Sequence, residues 1–232
     1  MPLQKKLFLA TLLFTGTLGA ALPVYATGSN FLGGKVSANI AMLNDYRFRG
    51  ISLNNEGFAI QGGFDWSHES GLYVGTWATN ISDFNGASIE SDFYGGYSGE
   101  ANGVSFDIGG LLYHYPGGTG TDYTEVYGST GIDLGFLSTT VGANYAFSNN
   151  NLGNQDNIYI YTDSEVAIPN MPLSLNLHLG FEDGAFGNKK WDWIIGTKVS
   201  YQGVDFGVSY VDTNVSGNNS DGRVVFSVGA SF

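Results

Sequence analysis

The stretch LSLNLHLGFE, residues 173–182, places Leu173, Leu175, Leu177, Leu179 and Phe181 at alternate positions, against Ser174, Asn176, His178, Gly180 and Glu182. Successive side chains of an extended strand point to opposite faces, so a period of two describes a strand with one apolar and one polar face. The pattern recurs on both sides of this stretch. Val36, Ala38, Ile40 and Met42 alternate with Ser37, Asn39 and Ala41. Trp191, Trp193, Ile195, Thr197, Val199 and Tyr201 alternate mostly with Asp192, Gly196, Lys198 and Ser200. Val204, Phe206, Val208 and Tyr210 then stand opposite Asp205, Gly207 and Ser209.

Twelve such segments are expected, near residues 36–49, 58–67, 72–80, 87–98, 104–115, 123–133, 137–148, 157–168, 173–182, 191–201, 204–212 and 223–232. Most approach the ~9–11 residues that a tilted membrane-crossing strand needs, and exceed the ~5–6 usual in soluble sheets. The connections divide into two sets. Residues 68–71, 99–103, 134–136, 169–172 and 202–203 are short. Residues 50–57, 81–86, 116–122, 149–156, 183–190 and 213–222 are longer and rich in Gly or Asn. An even strand count with short turns at one end and longer loops at the other is the organisation of a transmembrane up-and-down β-barrel, closed by pairing of the first and last strands. A soluble β-sandwich has no reason to keep this rhythm.

The polar face decides between a soluble barrel and an inverted one. It carries Asp45, Asp65, Glu90, Asp92, Asp107, Glu125, Asp133, Asp163, Glu165, Glu182, Asp192 and Asp205, against Arg47, Arg49 and Lys198. A dry core does not hold so many carboxylates, because each unpaired buried charge costs several kcal/mol, so this face is expected to line a wet interior. On the apolar face, Tyr46, Phe48, Tyr145, Phe147, Phe181, Trp191, Trp193 and Tyr210 fall at the long-loop ends. Phe64, Trp66, Tyr201 and Phe232 fall at the short-turn ends. Two aromatic belts around an aliphatic band suit rings seated at the headgroup levels of a bilayer. The chain also ends inside an amphipathic strand on Phe232, a terminal aromatic resembling the signal read by the bacterial barrel-assembly machinery.

The N-terminus agrees. Lys5 and Lys6 precede an uncharged apolar run, residues 7–22, and Val24-Tyr25-Ala26 places small or aliphatic residues where a signal peptidase cuts. Residues 1–26 therefore read as a cleaved signal peptide, and 27–232 as a single barrel domain. The run is shorter than the ~20 residues of a spanning helix. Without Lys5 and Lys6, seven basic residues face 21 acidic ones, a net charge of −14. That balance excludes nucleic acid as a partner, since phosphates are neutralised by basic patches. Glycine, 35 of 232 residues, is about twice the usual ~7%, which weakens helices and suits turns and curved strands. With no cysteine, neither a disulfide framework nor a lipoprotein anchor is available.

The stretches DYRFRGIS (45–52), AIQGGFDW (59–66), GLYVGTWATN (71–80) and LLYHYPGG (111–118) resemble, in content, order and spacing, the TorF-family porins of proteobacteria. The resemblance covers most of the chain after residue 26, with its distinctive blocks in the first half. It implies an outer-membrane barrel with a channel role, in contact with outer-membrane lipids and lipopolysaccharide, and carries over no functional residues.

No motif marks catalysis. The three histidines, His68, His114 and His178, are scattered, and no Ser or Asp is placed in sequence as a nucleophile or base partner. With no cysteine, they do not suggest a zinc site, and no cofactor is expected. The Gly117-Gly118-Thr119-Gly120 run lacks the Gly-Lys-Ser/Thr ending of a phosphate loop. The expected functional surface is the pore lining. Glu90, Asp92, Glu125 and Asp163 are placed at upper or middle levels, beside Tyr94, Tyr113 and Tyr161. His178 lies in mid-strand, and Arg47 and Arg49 lie near the extracellular mouth beside Asp45. Carboxylate rings favour cations, so the expectation is a small, weakly cation-preferring pore for neutral, zwitterionic or cationic solutes. A non-conducting structural or adhesion barrel is the alternative, and an outer-membrane hydrolase comes third.

Overall fold

The computed structural model describes residues 30–232; the expected signal peptide lies outside them. Twelve antiparallel strands form one continuous ring. In chain order they are β1 Gly34–Leu43, β2 Ala59–Ser67, β3 Leu72–Phe84, β4 Ala87–Ala101, β5 Val104–His114 and β6 Tyr123–Asp133. They continue as β7 Leu137–Ala146, β8 Asn157–Ala167, β9 Leu173–Gly184, β10 Gly187–Tyr201, β11 Val204–Thr213 and β12 Arg223–Ser231. Each strand pairs with its sequence neighbours, and β12 pairs back onto β1, from Ser227 with Leu43 to Ser231 with Asn39. Phe232 extends this seam, exchanging backbone hydrogen bonds with Ala38 at 2.8 and 3.0 Å. Closure leaves no free strand edge among the barrel strands.

The alternation of the sequence becomes an inside and an outside. Ile40, Ile60, Val74, Ile108, Ile195 and Phe226 face outward and are about half exposed. Asp92, Asp107, Glu125, Glu182 and Asp192 face inward and are buried. This inverts the usual distribution of a soluble protein. Phe147, Trp191 and Tyr210 lie exposed near the long-loop end, and Phe64, Tyr201 and Phe232 near the short-turn end.

Glycines make the inner wall fit its tyrosines. Tyr73 pairs across the ladder with Gly96, Tyr94 with Gly75, Tyr127 with Gly109, and Tyr161 with Gly142. In each pair a Cβ built on the glycine would run into the facing tyrosine. The absent side chains let the rings lie flat along the wall.

Three expectations need correction. The first strand does not run over 36–49: β1 ends at Leu43, and the chain turns into the bore. Tyr46 and Phe48, expected in the outer aromatic belt, are therefore inside, with Tyr46 only 2% exposed. The Asn44 side chain accepts from the Phe226 backbone N–H and donates to the Val224 carbonyl, pinning the exit point. Residues 81–86 and 183–190 are not long loops either. The β3–β4 turn is Asn85-Gly86, both at positive φ, and the β9–β10 turn is residues 185–186. Positive φ at both central residues is the two-residue hairpin geometry whose twist matches its strands.

Candidate functional site

Residues 44–58 leave the rim between β1 and β2 and cross the bore. At their deepest point, Arg47–Phe48 pairs with Ile51–Ser52 in a small hairpin whose tip is Arg49-Gly50, with φ of 48° and 87°. Glycine is required here twice over. Its φ is left-handed, and a Cβ would stand 2.9 Å from the Cβ atoms of Asp192 on β10 and Thr213 on β11.

A buried polar network folds the hairpin. Arg47, with 0% exposure, donates through Nε to Asp45 at 2.7 Å and through NH1 to the Gly50 carbonyl at 3.0 Å. Ser52 donates to Asp45 at 2.6 Å, and Asn54 accepts from the Tyr46 N–H at 3.0 Å. The rim holds it from outside. Arg223 of β12 pairs with Glu56, Ser52 donates its N–H to the Asn219 carbonyl at 2.8 Å, and Ser82 donates its N–H to Leu53 at 2.8 Å.

Arg49 makes the longest-range connection. Its guanidinium donates to both oxygens of Glu125 on β6, at 2.9 and 2.8 Å, and to Glu182 on β9 at 2.6 Å. It also lies 4.6 Å from the ring centroid of Phe48 and 4.3 Å from that of Tyr159. Lys190 on β10 bridges to Glu182 at 2.5 Å and donates to the Arg49 carbonyl at 2.9 Å. Removing one partner of such a buried pair costs about 3–5 kcal/mol, because the other charge is stranded. On the facing wall, Tyr46 donates to Glu90 at 2.8 Å. Asp92, two residues along on the same face, is fully buried, and neither of its oxygens has a hydrogen-bond partner among the described residues.

Nearer the short-turn end the inner wall continues as tyrosine–carboxylate pairs. Tyr94 donates to Asp65 at 2.5 Å, and Tyr73 donates to Asp107 at 2.7 Å with Tyr127 beside it. His178 sits between Asp163, 2.6 Å from Nδ1, and Asp192, 3.1 Å from Nε2, with the Tyr159 hydroxyl 2.8 Å from Nε2. Among the described residues, no Ser or Thr hydroxyl hydrogen-bonds this histidine. At the rim, His114, the last residue of β5, contacts Asp122 of the following loop at 2.6 Å. Partial burial pushes the Asp122 carboxyl up, but the Tyr115 N–H and His114 outweigh it, leaving the pKa below the usual aspartate value.

Every expected lining residue thus faces the interior, but not as expected. Arg47 and Arg49 lie toward the long-loop end beside Asp45, but buried rather than open to solvent: Arg49 meets Glu125 and Glu182, each two residues from the long-loop end of its strand, and Arg47 meets Asp45 within the hairpin. Glu125 is arginine-paired rather than open to solvent, and Tyr94 donates to Asp65. Sequence reasoning missed Tyr46, Tyr159 and Lys190. Lys190 was within reach, since the parity that sends Trp191 and Trp193 outward sends Lys190 and Asp192 inward. For Tyr46 the same parity pointed the wrong way.

The sequence model of a family described as a bacterial protein of unknown function, Gcw_chp, matches residues 29–232. The chain belongs to that family. No curated protein matches the Gcw_chp chain. Among solved structures it is similar to the NanC porin, with a TM-score of 0.60, 9% identity, and 85% of this chain and 98% of that one covered. The KdgM porin aligns with a TM-score of 0.59 and 10% identity, over 84% and 98% of the two chains. KdgM solved in complex with disordered oligogalacturonate gives a TM-score of 0.58 at 8% identity, over 85% and 97%. At such identities the likeness is one of fold.

Proposed function

We propose that this Gcw_chp chain is a porin-like channel of the bacterial outer membrane that passes small neutral, zwitterionic or cationic solutes with a weak preference for cations. The observation that carries the reading is the inversion of the barrel: aliphatic side chains and aromatic belts outside, acidic, basic and hydroxylic side chains inside. Lipid tolerates a closed barrel because every backbone polar group of the strands is paired within it. The resemblance to TorF-family porins and the shared fold with NanC and KdgM point the same way. Phe232 is proposed as a contact for the barrel-assembly machinery.

The charge of the bore supports the solute class. Asp65, Asp107, Asp163, Asp192, Glu90, Asp92, Glu125 and Glu182 outnumber Arg47, Arg49 and Lys190, so anions meet a repulsive field and cations an attractive one. The acidic sugar chain in the KdgM complex is the opposite kind of solute. A hydrolase is disfavoured, because the imidazole of His178 is held between carboxylates and a tyrosine rather than against a nucleophile.

The test is planar-bilayer conductance of the refolded chain across a potassium chloride gradient. A reversal potential favouring potassium is expected. Replacing Glu90, Asp92 and Glu125 together by amides is expected to move it toward zero. Unchanged selectivity would sink the acidic-lining assignment. The inward-folded residues 44–58 favour a second reading, a structural barrel whose bore is filled; reproducible silence from folded protein would support it.

A further inference from the structure

We propose that the place occupied by Arg49 is a recognition site for a guanidinium- or amine-bearing solute, which the chain's own arginine fills while residues 44–58 are folded in. The inference rests on the channel reading and names the solute class that the bore selects.

Most of the site belongs to the barrel wall and does not depend on the hairpin. Glu125 comes from β6 and Glu182 from β9, and the Tyr159 ring from β8 lies 4.3 Å from the guanidinium carbon. Wall residues fix the two carboxylates in place. Asn144 donates to Glu125 at 2.9 Å, Tyr113 donates to the same oxygen at 3.2 Å, and Asn157 donates to Glu182 at 2.9 Å. Two oriented carboxylates and an aromatic face match a planar, delocalised cation. The hairpin adds only Phe48 and the arginine itself.

The charge of the chamber gives an independent reason to expect a mobile cation. Even with Arg49 in place, Glu90, Asp92, Glu125 and Glu182 face only Arg49 and Lys190. Asp92 stands directly across the ladder from Tyr113, fully buried and with both oxygens unpartnered among the described residues. If the hairpin withdraws, Arg49 leaves with it, and four carboxylates remain against one lysine. A cation entering the bore meets the lowest potential there, and its binding would hold the hairpin out. Arg49 competes as a tethered occupant with an effective concentration on the order of millimolar, so the free solute must compete in that range.

Agmatine, which carries one guanidinium and one amine, is the probe. Its binding to the refolded full chain is measured by calorimetry in detergent, for the natural sequence, Arg49→Ala, and Arg49→Ala combined with Glu125→Gln and Glu182→Gln. Folding is verified by heat-dependent gel mobility, and Arg49→Met serves if Arg49→Ala does not fold. The expected result is at least tenfold tighter binding once Arg49 is removed, abolished by the two amides. Equal binding with and without Arg49, or tight binding that survives the amides, would overturn the proposal. Bilayer conductance of the same preparations separates the two readings. Arg49-dependent binding by a barrel that never conducts would leave the site standing and remove the channel. Conduction with agmatine binding indifferent to Arg49 would do the reverse.

Discussion

Gly109 and Asp122 show how single residues carry the architecture. A Cβ at Gly109 would collide with the Tyr127 ring, whose hydroxyl lies 2.5 Å from that of Tyr73, which in turn donates to the Asp107 carboxylate. Gly109→Val is expected to destabilise the barrel by about 1–3 kcal/mol, the usual penalty of overpacking. The measurement is the urea midpoint of the refolded protein. An unchanged midpoint would mean that the tyrosines have room the structure does not show. Asp122, on the β5–β6 loop, is pushed up by partial burial, but the Tyr115 N–H, His114 and the Thr121 hydroxyl together outweigh this and leave its pKa lowered. A carboxyl depressed in the folded state stabilises it above the unfolded pKa, near 3.9. That contribution is lost as the pH falls through the lower folded value. Residues 115–122 should therefore become more open to a pH-tolerant protease only in strongly acidic solution. Asp122→Asn should remove that pH dependence.

At the scale of elements, the barrel and the hairpin are separable. The β1–β2 ladder runs without interruption from Lys35 paired with Ser67 to Leu43 paired with Ala59. Its register does not need the fifteen residues between Leu43 and Ala59 that cross the bore. Replacing residues 46–57 by a short Gly-Ser turn is accordingly expected to leave a heat-modifiable barrel and to raise single-channel conductance severalfold. A folded variant with unaltered conductance would show that the hairpin is not the constriction. The hairpin is held both by buried charge pairs and by apolar packing, with the Tyr46 ring 5.6 Å from that of Trp77 and the Phe48 ring 5.7 Å from that of Tyr113. The charge pairs weaken once water reaches them, because solvent screens their attraction.

For the whole molecule the seam decides closure. β12 meets β1 over five paired positions before Phe232 adds two backbone hydrogen bonds, while the neighbouring β11–β12 ladder has eight pairs. Each such hydrogen bond contributes about 1 kcal/mol net, and the exposed Phe232 ring adds to the belt at the short-turn end. Deleting Phe232 is expected to lower the yield of folded barrel in the outer membrane more than it lowers the urea midpoint of barrels refolded in detergent. Equal losses in both assays would make the residue a seam element and not an assembly signal.

The sequence by itself determined the barrel. A period of two repeated twelve times, acidic on one face and apolar on the other, has few ways to satisfy its backbone, and a closed inverted ring is the one consistent with length and turn rhythm. Strand parity also placed Glu90, Asp92, Glu125, Asp163 and His178 inside, because parity is local and a one-residue slip would turn every side chain to the wrong face. Only the tertiary structure decided what fills the bore. Residues 44–49 continue the alternation of β1, so nothing local distinguishes a strand that climbs to the rim from a chain that turns inward. The choice is made by partners far away in sequence. Glu90, Glu125, Glu182 and Lys190 sit on four different strands, and ring closure alone brings them around Tyr46 and Arg49.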